Sequence, residues 1–64
     1  MTDEEMVIRI AILMGLSWGD SYRLLLKMSD VVTTKPCSFE SAFYHAERMM
    51  AHGVWDFEKW ANTL

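Results

Sequence analysis

Between Met6 and Met14 the chain reads Met, Val, Ile, Arg, Ile, Ala, Ile, Leu, Met, and Arg9 is the single polar residue of the nine. Wound as a helix at about 100° per residue, this run spreads apolar side chains around the whole circumference, so the helix must be covered on nearly every side. The rest of the chain is short of material for that. At 64 residues it forms one domain, residues 1–64, of a size that buries only about 60% of the surface exposed by the unfolded chain. Burying one Ile or Leu is worth about 1.5–3 kcal/mol, so several left exposed forfeit an amount comparable to a small domain's whole stability. A second surface is therefore expected over this segment. It is either a copy of the same chain in a two-fold dimer or a different protein whose groove receives the helix.

Local signals favour helix over the competing reading of a buried strand, which Val7, Ile8, Ile10 and Ile12 would suit. Thr2 and Glu5 have capping-box spacing, Asp3, Glu4 and Glu5 place negative charge where a helix dipole favours it, and Gly15 is positioned as a stop. Ser17 and Asp20 repeat the Ser-x-x-acid pattern. A second helix is predicted over about Trp18 to Met28, with Trp18, Tyr22, Leu25 and Ser29 at helical spacing beside Leu24 and Met28, and Gly19, Arg23 and Lys27 on the opposite face. Asp30 to Ser38 contains β-branched residues and Pro36, which oppose helix and hold Lys35 extended, so a crossover loop is expected there. Ser38 is placed to cap a third helix carrying Phe39, Ala42, Phe43, Ala46, Met49 and Met50 on one face. Gly53 ends it, with Val54 placed for the apolar contact of such a stop. Asp56 caps a last short helix presenting Phe57, Trp60, Ala61 and Leu64, and Trp55 and Trp60 have the spacing of a hydrophobic staple. The fold class read from this pattern is all-α, a small bundle of three to four short helices completed by dimerisation.

Composition narrows the function classes. A chain that is 52% hydrophobic with three Trp is too apolar for disorder. The lone Cys37 makes no internal disulfide, the start MTDEEM lacks a signal peptide's basic region, and no apolar run reaches the roughly 18–20 residues of a membrane span. These features lead to the expectation of a cytoplasmic protein with no membrane partner. A net charge of −3 has the wrong sign for generic attraction to phosphate backbones.

Chemistry-bearing residues are few. Cys37, His45 and His52 are the only soft or imidazole ligands, and the two histidines are seven residues apart, whereas helical metal pairs sit at i and i+3 or i+4. No metal or cofactor is expected. A Cys–His nucleophile pair finds no oxyanion hole or orienting third group in the sequence, and Glu40, His45 and Glu47 read as a solvated helix face, so the chain is expected not to be an enzyme. The aromatics and the six methionines suit both an irregular core and an adaptable contact surface.

One stretch, Ile10-Ala11-Ile12-Leu13-Met14-Gly15-Leu16-Ser17 followed by Ser21-Tyr22-Arg23-Leu24-Leu25, resembles the helix-turn-helix signature of DNA-binding regulators. The resemblance implies a recognition helix offering Ser17, Trp18, Tyr22, Arg23 and Lys27 to DNA. It departs from the signature at Ser21, where an aliphatic residue is usual, and at Asp20, which would repel phosphates.

The reading that absorbs most of these features is a stoichiometric regulator, inhibitor or adaptor that binds another protein and performs no chemistry, of a size that suits a phage-encoded or accessory protein. Its interface candidates are Val7, Ile8, Ile12, Trp18, Tyr22, Trp55 and Trp60, with Arg9, Arg23 and Lys27 as a charged rim. The alternative is a small helix-turn-helix transcriptional regulator.

Overall fold

Each helix begins where a side chain can take up an orphan backbone N–H. A computed structural model describes residues 1–64 and places four helices in chain order: α1 (Asp3–Met14), α2 (Trp18–Val32), α3 (Phe39–Ala51) and α4 (Phe57–Asn62). Thr2, Ser17, Ser38 and Asp56 cap them, their side-chain oxygens accepting from the N–H groups of Glu5, Asp20, Ser41 and Lys59 at 3.0–3.2 Å. The chain stops α1 and α3 with Gly15 at φ 67° and Gly53 at φ 70°, a left-handed conformation that glycine adopts without strain. After Gly53 the Val54 N–H closes onto the Met49 carbonyl, although the Val54 side chain stays exposed instead of packing back.

The Met6–Met14 segment is helical, not a strand. α1 and α3 run parallel, with the Met1 ammonium beside Glu40, Arg9 bound to Glu47, and Leu13 and Ala51 lining one groove; α1 also packs against α2. Between the three helices lies the core of Met6, Val7, Ile10, Leu25, Met28, Val32, Ala42, Phe43, Ala46, Met50 and Trp60. α4 closes the far side of α3 and α2. The Trp60 indole N–H donates to the Ala42 carbonyl at 2.8 Å, and Lys27 Nζ lies 5.2 Å from the centre of the Phe57 ring. Trp55 and Trp60 form the staple across the Asp56 cap, ring centres 5.7 Å apart.

Two expectations are corrected. α2 continues through Asp30, Val31 and Val32, and the connection begins only at Thr33. Val32 is buried against the core, and that packing outweighs the modest helix penalty of β-branched residues. The packing face of α2 is also rotated from the one its aromatics suggest. Ser21, Leu25, Met28 and Val32 point inward, while Trp18 and Tyr22 stand at the surface. Ser21 is admitted because it is small and its hydroxyl donates to the Ser17 carbonyl at 2.8 Å, so no buried side-chain polar atom goes unpartnered.

Candidate functional site

On α1 the residues facing the core are Met6, Val7 and Ile10, with Leu13 and Met14 at its margin. At 100° per residue, Ile8 and Ile12 fall on the opposite side of the helix from Ile10. They are 45% and 75% exposed. The two isoleucines sit one turn apart and form an apolar ridge along the outside of α1. Beside it, a shallow groove of about 360 Å³ runs along the α1–α3 seam, lined by Arg9, Ile12, Leu13, Glu47 and Ala51. Arg9 donates to both Glu47 carboxylate oxygens, at 3.0 and 3.2 Å, and spans this groove. The hydrogen bond that Arg9 donates to Glu47, reinforced by the carboxylate's charge, raises the Arg9 pKa above the ordinary guanidinium value. Arg9 and Glu47 therefore place a charged pair across the groove, with the Arg9 side chain still half-exposed.

A second strip lies on α2. Trp18, 55% exposed, stacks on Tyr22 with ring centres 5.4 Å apart and planes 6° from parallel, and Leu26 continues the line one turn further. A smaller pocket of about 280 Å³ opens where Tyr22, Leu25 and Leu26 meet Phe39, with Asp3 and Ser29 at its edge. The i, i+4, i+8 spacing of Trp18, Tyr22 and Leu26 was the available signal for Leu26, an exposed residue absent from the predicted interface.

Of the predicted interface residues, Ile8, Ile12, Trp18 and Tyr22 are exposed and Trp55 is half-buried. Val7 and Trp60 are wholly buried in the core and offer nothing to a partner. Among the rim residues, Arg9 is engaged by Glu47, Arg23 binds Asp20 at 3.1 Å, and Lys27 rests over Phe57. The same arrangement bears on the residues implied by the helix-turn-helix resemblance. The Ser17 hydroxyl caps α2, Arg23 pairs with Asp20 while staying exposed, Lys27 lies over Phe57, and Trp18 and Tyr22 stack at the exposed start of the helix.

The groups considered for chemistry do not converge. The Thr63 hydroxyl donates to the Trp60 carbonyl, so at 2.9 Å His45 Nε2 must be the donor to Thr63 Oγ1. His52 is the exposed C-terminal cap of α3, and Cys37 packs half-buried against the core. No three His, Cys, Asp or Glu side chains come together as a metal site. No helix is long and apolar enough to cross a membrane. Set beside family models, curated proteins and solved structures, the chain matches none of them.

Proposed function

We propose that this chain is a cytoplasmic, non-enzymatic protein-binding module that regulates by occlusion, laying an apolar helical face against another protein. The observation that carries this reading is the ridge of Ile8 and Ile12, two large aliphatic side chains held on a well-capped helix and left in water. Exposed aliphatics normally occur singly; two on adjacent turns beside an apolar groove make a patch of the kind that protein contacts use. The fold gives a physical reason for the patch. α4 is spent on the α2–α3 side, and α1 has neighbours only inward.

The test is capture of partners from source-cell lysate by the tagged chain after nuclease treatment, with light scattering to fix the mass of the purified protein. The expected result is one stoichiometric protein partner retained by the parent chain and lost by Ile12→Asp, while circular dichroism shows the variant to be as folded as the parent. A monomer whose captured proteins are indifferent to Ile12→Asp would overturn the reading. Recovery of nucleic acid alone, falling away as salt rises, would move the transcriptional-regulator reading into its place.

A further inference from the structure

Resting on that reading, we infer that the α1 ridge takes a basic amphipathic helix of another protein, and not a second copy of this chain. The argument is one of charge. Glu4 and Glu5 lie one turn before Ile8 on the outward side of α1, and Asp3 completes an acidic first turn. The molecule's ion pairs are Met1 with Glu40, Arg9 with Glu47, and Arg23 with Asp20, so none engages these three carboxylates directly, and Glu5 alone feels a nearby cation in Arg9. Along its length the face therefore reads acidic, then Ile8, then Ile12, with no basic residue in the last turn of α1.

A two-fold dimer would place this face against itself. Paired in parallel, it sets Glu4 and Glu5 against their own copies. Paired antiparallel about a centre between Ile8 and Ile12, it sets Glu5 near the carbonyl end of the other α1, where the helix dipole is also negative. The one cation on the face, Arg9, is held by Glu47 in either case. A single helix needs only a stripe of this width. Its apolar residues at i and i+4 would sit across Ile8, Ile12 and the α1–α3 groove, and Lys or Arg at one end would meet Glu4 and Glu5.

The experiment uses the full chain as bait for a displayed library of helical peptides with a fixed Leu stripe and every other position randomised between Lys and Glu. Selected peptides are then titrated by calorimetry. The expected outcome is enrichment of Lys at one end, affinity that falls with salt, a loss of at least about tenfold on Ile12→Asp, and a weakening of about tenfold for Glu4→Lys with Glu5→Lys, from reversing two exposed charge contacts. Leu26→Asp, on the α2 strip, should leave binding unchanged, and thermal melts should show all variants folded. Selection without Lys preference, or peptides indifferent to Ile12→Asp, would overturn the inference. So would a concentration-dependent dimer that Ile12→Asp dissolves; in that case the ridge is still a protein-binding surface, and only the identity of its occupant is wrong. If no peptide binds, no dimer forms and lysate capture ignores Ile12→Asp, both readings fall together.

Discussion

Ile10 and Ile12 are the same residue type two positions apart on one helix, and their surroundings assign them opposite roles. Ile10 is wholly enclosed and Ile12 is largely in solvent. Ile10→Ala is expected to cost about 2–5 kcal/mol through lost burial and the cavity left behind. Ile12→Ala should stay within about 0.5 kcal/mol, as surface substitutions do. Urea unfolding of the two variants with an unchanged m-value would measure the contrast directly. Trp60 makes a different point. Its ring fills the core, and its N–H is the partner of the buried Ala42 carbonyl. Trp60→Phe should therefore destabilise by up to about 1 kcal/mol beyond the loss of volume, because one buried hydrogen bond is lost while the Ala42 carbonyl, inside α3, keeps its helical partner. A value no larger than the volume change predicts would show that water or a local shift replaces the bond.

The helix boundaries are written largely in the turn chemistry. Gly15 and Gly19 separate the two uses of glycine, since a Cβ at either site would meet nothing within 4 Å. Gly15→Ala should nevertheless cost about 1–2 kcal/mol, because its φ of 67° puts an L side chain in left-handed space. Gly19 is inside α2 with negative φ, so Gly19→Ala should stabilise by up to about 1 kcal/mol. Thermal melts of the pair, moving in opposite directions, check both signs. The start of every helix was legible in the sequence because Thr2, Ser17, Ser38 and Asp56 act locally, within three residues of the N–H groups they cap. The end of α2 and its packing face were not. Whether Val31 and Val32 join a helix, and whether Trp18 or Ser21 turns inward, is decided by how closely α1 and α3 approach, which a single helix's periodicity does not contain.

At the scale of the whole molecule, size limits what can be hidden. The chain spans 29 × 23 × 17 Å, which leaves room for a single core shared by three helices. The all-round apolar character of α1 was plain in the sequence, and Ile8 and Ile12 emerge from it as its uncovered part. Val7 and Trp60 could not be told apart from them, because an apolar residue's type does not say which side of a helix it will take. The arrangement has an optical consequence. Three indoles stand at three depths, with Trp18 at the surface, Trp55 half-covered and Trp60 sealed, so one emission spectrum contains an outer and an inner reporter. Iodide should quench the red-shifted Trp18 component while the blue Trp60 component stays bright, and Trp18→Phe should remove most of the quenchable signal. Equal quenching of all three would mean that the core is open to solvent.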